Sequence, residues 1–359
     1  MNPLHTAHGD LEMPAFLPDA TRGVVKAVDA GDLRACGVRG LVVNALHLSS
    51  HPGTSLVASV GGIHRFMGWD GPVVSDSGGF QVLSLIAASP KAGGVSGHGF
   101  TYRLDKGEKK TLTPEKSIQR QFQIGADVMF CLDHCTHPDE AREAQEASVA
   151  HTVVWARQCK TAFLQYLDRR RGDDPRPLLF AVAQGGNDPA LRRRCVAELV
   201  EIGFDGYGFG GWPIDAEGQL SDAVGLVAEL IPEGMPKHAL GIGKPENLAR
   251  AFRMGYDLFD CAIPTRDARR KRLYVFKDAP GLRGDEFYEY LYIEDERYAR
   301  DARPIDAQCG CLCCQRYSRA YLRHLFEVED ALALRLATMH NLTFYSALIE
   351  GLKALGVSG

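Results

Sequence analysis

Eight short apolar runs, several of them rich in β-branched residues, recur along the chain. They lie at residues 14–21, 40–45, 72–76, 127–133, 178–185, 205–211, 238–243 and 258–264. Between them come amphipathic stretches such as PALRRRCVAELVEIG (189–203) and PENLARAFRMG (245–255), with apolar residues at steps of three and four. Alternating β and α units predict an α/β protein with a parallel sheet, and eight of them predict a closed (β/α)8 TIM barrel; an open doubly wound sheet is the alternative. In order, the runs end on or near Asp19, Asn44, Asp76, Asp133, Gln184, Gly210 with Gly211, Gly241 with Gly243, and Asp260. Barrel strands present such ends on one rim, where unpaired carboxylates would repel one another. A pocket for a polar, donor-rich ligand resolves that conflict. Two segments interrupt the alternation. Residues 86–112 read as an elaborated loop after the third strand, and 270–340 as a subdomain after the eighth. The expected division is a barrel over 1–270, a metal-binding subdomain over 271–345, and a helix end over 346–359 packing back on the barrel.

Composition adds three constraints. With 359 residues, 45% hydrophobic and 24% charged, the chain is long enough for one large domain with an insertion. Its net charge of −4 means that an anionic partner must be met by a local basic patch. No stretch approaches the roughly 20 apolar residues of a membrane span, and the N-terminus lacks a signal-peptide pattern, which points to the cytoplasm. Six of ten cysteines are scattered singly; the rest crowd into CGCLCC, residues 309–314. That usage suits a reducing compartment and a metal site. Cys309, Cys311 and Cys314, with His340 on a helical stretch, make the closed four-ligand set of one structural zinc ion. A four-cysteine set using Cys313 is the alternative.

The stretch DLFDCAIPTRDARRKR (257–272) places a carboxylate near the start of an apolar run and a dense basic run directly after it. With it stand SDSGGFQV (75–82), TPEKSIQ (113–119), CLDHC (131–135), AVAQGG (181–186), FDGYGFGG (204–211) and the cysteine cluster followed by His340. In this order, over nearly the whole chain, they resemble the tRNA-guanine transglycosylases. The resemblance implies a zinc-bearing (β/α)8 barrel that replaces a guanine in tRNA with a 7-deazaguanine base such as preQ1 or queuine. Because the chain runs only to Gly359, it resembles the bacterial and eukaryotic branches, whose target is the wobble guanine at position 34. The likeness assigns Asp260 as nucleophile and Asp76 as the acid–base group. Ser77, Phe80, Asp133, Gln184, Gly210, Gly211, Leu240 and Gly241 would form the substrate pocket. Arg266, Arg269, Arg270 and Lys271, directly after the nucleophile strand, would meet tRNA phosphates at its lip. The chain departs from the family pattern at His134, Trp212 and Pro213, which become the positions expected to set selectivity for the incoming base. A homodimer is implied as well, with tRNA, free guanine and the deazaguanine base as partners and no membrane. Two rival readings remain. One is a non-catalytic tRNA-binding partner subunit, which would not need both Asp76 and Asp260. The other is the same barrel acting on DNA, or on a carbohydrate as a glycosidase.

Overall fold

A computed structural model of the chain describes residues 2–103, 107–170, 175–277, 282 and 284–356. Its centre is an eight-stranded parallel sheet formed by Ala15–Pro18, Leu41–Asn44, Val73–Asp76, Val128–Phe130, Leu178–Ala183, Gly206–Phe209, Lys237–Ala239 and Leu258–Cys261. We number these one to eight. Each of the eight apolar runs contributes one strand; only the seventh is offset, starting at Lys237 and ending before the glycines. Strand eight pairs with strand one, Leu258 opposite Ala15 and Asp260 opposite Leu17. The ring closes between strands one and two through a parallel bridge from Asp19 to Val42, where the Ala20 N–H donates to the Val42 carbonyl at 2.7 Å. Closure excludes the open doubly wound sheet.

Side chains alternate across each strand, so one set fills the barrel and the other meets the helices. Leu17, Val42, Val74, Val128, Phe130, Phe180, Val182 and Leu258 pack inside, with Phe130 and Phe180 edge to face at 5.6 Å. Burying each such side chain contributes roughly 1.5–3 kcal/mol. A hairpin of Leu4–Thr6 and Gly9–Leu11 closes the floor by adding Leu4 and Leu11 to this cluster. It is clipped there by Asp127, which accepts from His8 (2.8 Å), His64 (3.1 Å) and the Val73 amide (2.8 Å). Burial alone would raise the Asp127 pKa, but those hydrogen bonds outweigh it and hold the carboxyl below its usual range.

The helices begin and end where local chemistry directs. Pro189–Ile202 starts with proline after Asp188, whose side chain accepts from the Ala190 and Leu191 amides, and it stops at Gly203. The segment after strand three is a helix, Gly79–Ala88, followed by a three-stranded antiparallel sheet of Gly93–Ser96, Gly99–Tyr102 and Lys110–Leu112. After strand eight come a short helix, Ile263–Arg269, and a hairpin of Arg272–Phe276 with Tyr288–Tyr292. The helices Leu312–Arg316, Arg319–Glu327 and Ala331–Gly356 follow. The last runs unbroken through 345/346, the expected subdomain boundary, because its two halves serve two cores. His340 faces the cysteines, while Tyr345 packs on Phe16 at 4.6 Å and donates to the Gly243 carbonyl. Residues 357–359 of the expected helix end lie outside the described residues. Among the described residues no helix is long and apolar enough to cross a membrane.

Candidate active site

The strand ends surround a cavity of about 570 Å³ at the C-terminal mouth of the barrel. Asp76, Ser77, Phe80, Asp133, Gln184, Gly210, Gly211, Trp212, Pro213, Leu240, Gly241, Asp260 and Arg266 all line it. Residues scattered over almost 200 positions of sequence are thus gathered by parallel strands of similar length.

Asp76 ends strand three directly opposite Asn44 on strand two. Asn44 Nδ2 donates to one carboxylate oxygen at 2.6 Å, and the Ala45 amide reaches the other at 3.3 Å. Burial pushes the Asp76 pKa up to about 7; those two bonds oppose the shift, and the charges of Asp260 and Asp19 add to it. The next turn depends on Gly78, at φ +81°, where an added Cβ would lie 2.7 Å from Leu46 Cβ. That turn launches the helix that carries Phe80 into the mouth.

Beyond the next two strands, four and five, Gln184 Nε2 donates to Asp133 Oδ2 at 2.6 Å. Burial raises the Asp133 pKa to about 6, against the pull of the Gln184 bond. Glycine at 210 leaves room for its neighbours, since a Cβ there would sit 2.5 Å from Val182 Cγ1 and 2.4 Å from Gln184 Nε2. Its carbonyl is held by Arg192 Nη1 at 2.9 Å, and the same guanidinium reaches the carbonyls of Ala183 (2.7 Å) and Gly186 (2.8 Å). Arg192 is only 1% exposed and lies over the Phe209 ring at 4.4 Å; burial draws its pKa down to about 10. This buried cation fixes the ends of strands five and six relative to one another.

Asp260, on strand eight, accepts from His238 Nε2 at 2.9 Å and from the Gly241 amide at 3.1 Å. His238 is fully buried, edge to face with Phe130, and its Nδ1 has no hydrogen-bond partner. A carboxylate can only accept, so Nε2 carries a proton, and Nδ1 is left without a partner. The mouth is roofed by aromatics. Phe80 is 49% exposed with its ring 5.6 Å from Trp212, which in turn meets His137 at 5.0 Å.

His134 stands apart from the other expected pocket residues. Its ring is turned away from the cavity, its Nδ1 3.1 Å from that of His151 and its faces near Trp155 and Phe100. Burial, with the adjacent His151, lowers its pKa to about 4 and keeps it neutral. Of the basic run, Arg266 reaches the cavity wall, while Arg269 and Arg270 lie exposed beyond it. Lys271 is half-buried and paired with Glu294. Among the described residues Arg266, Arg269 and Arg270 make no ion pair.

The cysteine cluster forms a separate centre. Ligand atoms of Cys309, Cys311, Cys314 and His340 lie within 4.8 Å of one another, and this group can hold a metal ion. His340 Nδ1 is 3.3 Å from Cys314 Sγ and 3.7 Å from Cys311 Sγ. Zinc–sulfur and zinc–nitrogen bonds of about 2.3 and 2.1 Å at tetrahedral angles give edges of about 3.6 Å, so the donor set fits that ion. His340 Nε2 donates to the Tyr274 carbonyl at 2.7 Å, which turns the Nδ1 lone pair toward the thiols. Cys313 is buried in the adjacent apolar cluster and outside this group, which removes the four-cysteine alternative.

Three site residues went unnoticed in the sequence or were noted without a role. Asn44 was visible as a strand end, but its bond to Asp76 depends on strand register. His238 and Arg192 carried no local signal beyond being polar residues inside apolar patterns.

The profile described as queuine tRNA-ribosyltransferase matches residues 1–355. A protein of that name from Solidesulfovibrio magneticus is 38% identical over 350 residues, covering 97% of this chain and 88% of its own. One from Syntrophobacter fumaroxidans is 38% identical over 351 residues, with 98% and 88% covered. Another, from Psychrobacter cryohalolentis, is 36% identical over 352 residues, again with 98% and 88% covered. With a barrel rim and a thiol–histidine centre that match the motif order, the chain belongs to the queuine tRNA-ribosyltransferase family, the tRNA-guanine transglycosylases, which are pentosyltransferases.

Proposed function

We propose that this protein exchanges a guanine of tRNA, at wobble position 34, for a 7-deazaguanine base such as preQ1 or queuine, through a ribosyl–Asp260 intermediate. The observation that carries the reading is that two differently held carboxylates face one cavity: Asp260, aimed by two donors, and Asp76, near neutrality. In the first step an Asp260 oxygen attacks C1′ and the C1′–N9 bond breaks. The electron pair leaves with guanine, and Asp76 gives it a proton. In the second step Asp76 takes the N9 proton of the incoming base. N9 then attacks C1′ and frees Asp260. Two inversions give net retention, as in retaining glycosidases. Asp133, acceptor-only when ionised, meets the N–H edge of the base, while Gln184 and the Gly211 amide meet its carbonyl side. The apolar wall of Val182, Phe209 and Leu240 would exclude the water that hydrolyses such intermediates.

Selectivity for the incoming base falls to Trp212, Pro213 and Phe80, which line the cavity, and not to His134, whose ring faces elsewhere. Arg266, Arg269 and Arg270 would hold phosphates beside the extruded nucleotide. Zinc on Cys309, Cys311, Cys314 and His340 is a structural staple, since four protein donors leave no open position for substrate. Family membership supports a homodimer in the cytoplasm, where tRNA is modified.

The test is incubation with labelled guanine and either bulk tRNA or DNA. Label entering tRNA supports this reading, and label in DNA transfers the chemistry to that polymer. No label in either reassigns the chain as a binding partner. Asp260→Ala must lose the signal, and full activity in that variant would remove the nucleophile.

A further inference from the structure

Many arginines of the described surface are matched by acids, among them Arg142 with Asp188 and Glu146, Arg176 with Asp205, Arg250 with Asp285 and Arg323 with Glu296. A second basic cluster besides the one after strand eight escapes this pattern. Lys109, Lys110, Lys116 and Arg120 line a groove of about 380 Å³ on the outer wall of the barrel, and among the described residues no carboxylate lines it. Among the described residues none of the four makes an ion pair. Glu108 and Glu115 are their neighbours in sequence, yet neither lines the groove. Arg120 Nη1 is moreover buried without a hydrogen-bond partner. Concentrating four like charges is unfavourable in a chain of net charge −4 unless an anion joins them.

The groove has a fixed relation to the active site. Lys116 and Arg120 project from the helix Pro114–Ile124, and Ser117 on the same helix donates to the Ser77 carbonyl at 3.1 Å. A helix with its side chains is about 10–12 Å across, so the groove lies roughly one helix width behind the pocket. It follows strand three, whereas Arg266, Arg269 and Arg270 follow strand eight. These strands are three steps apart round the eight-stranded ring, so the two basic clusters flank the mouth from different sides. From this we infer that the groove holds the ribose–phosphate backbone of the RNA, at phosphates distant from the nucleotide in the pocket. Thr111 and Gln119, also in its lining, add neutral hydrogen-bonding groups suited to phosphate and ribose oxygens. The inference rests on the base-exchange reading for the identity of the RNA.

The test compares the parent with Lys109→Gln/Lys110→Gln/Lys116→Gln by titrating tRNA at several salt concentrations. Loss of three phosphate contacts should make the slope of log affinity against log salt shallower by about 2 and weaken binding on the order of 10–100-fold near 0.1 M salt. The KM for free guanine, which enters the separate pocket, should hold. An unchanged slope in a parent that does exchange guanine into tRNA overturns the groove assignment alone. A shallower slope in a protein whose parent exchanges no guanine keeps the groove and sinks the base-exchange reading. Competition by polyglutamate as strong as by RNA of equal charge would also overturn the assignment, giving the groove to an acidic protein.

Discussion

Replacing His238 by phenylalanine tests how the nucleophile is aimed. In the parent, Asp260 accepts from His238 at 2.9 Å and from the Gly241 amide at 3.1 Å. Phenylalanine keeps most of the ring volume against Phe130 but removes the first donor. A hydrogen bond to a charged group contributes about 1.5–3 kcal/mol, so kcat/KM should fall about 10- to 100-fold. Stability should move the other way. His238 Nδ1 is buried and unpartnered, and such an atom costs about 1–3 kcal/mol. Asp260, 18% exposed at its side chain, can recover a hydrogen bond from water at the mouth. The net expectation is a gain of about 1 kcal/mol in unfolding free energy, with activity lost. His238→Gln is the control, since its amide can still donate near the position of Nε2 and should restore much of the rate. The assay is single-turnover guanine exchange, with trapping of the covalent adduct, alongside thermal or urea unfolding. A phenylalanine variant within twofold of the parent rate refutes the aiming role, as does a glutamine variant as impaired as the phenylalanine one.

Asp76 gives a pH prediction. Its folded pKa, about 7, lies above the ordinary carboxylate value, so folding favours its protonated form, and the stability associated with that proton is lost as pH rises through 7. Asp76→Asn should therefore melt higher than the parent at pH 8, with the gap closing as pH falls toward the ordinary carboxylate value of 3.8, while losing base exchange; equal gaps at pH 8 and near pH 4 would contradict the assignment. Metal analysis should find one zinc per chain, and His340→Ala should lower both zinc content and the melting temperature; full zinc retention in that variant would remove His340 from the ligand set. Arg192→Met takes a donor from three carbonyls at the ends of strands five and six, of which Ala183 alone keeps another, the Gly210 amide; this should cost about 2–4 kcal/mol and raise the KM for guanine. Unfolding curves and KM unchanged from the parent would show that the guanidinium positions nothing.

The barrel was legible because strands covered on both faces must be apolar along their length, and that signal survives without any knowledge of neighbours. What depends on pairing was not. Reading 238–243 by its glycines hid the fact that His238 lies opposite Leu258. Once that register is known, alternation puts Leu258 and Asp260 on the same face of strand eight and brings His238 alongside the carboxylate. The same rule explains His134. It adjoins Asp133 in sequence, but neighbouring side chains in extended chain point to opposite sides, so one entered the cavity and the other met His151. Lys271 followed the nucleophile strand in sequence, yet the chain turns there at φ +61° and the ammonium pairs with Glu294. Sequence proximity to a site was a poor guide wherever one more residue reversed the direction of the side chain.

The distribution of unsatisfied polar atoms ties these points together. Most buried polar groups in folded proteins find partners, so exceptions call for a cause. Here several exceptions lie where a ligand would arrive: His238 Nδ1 and Gln81 Oε1 on residues lining the cavity, and Arg120 Nη1 on a residue lining the basic groove. Asp76 and Asp133 belong to the same pattern, being carboxyls whose burial is only partly offset by hydrogen bonds. Each raises the energy of the empty protein. A partner bringing N–H groups to the acids and phosphate oxygens to the cation would recover that energy. The proposed partner, a purine-like base on an RNA strand, would bring both at once.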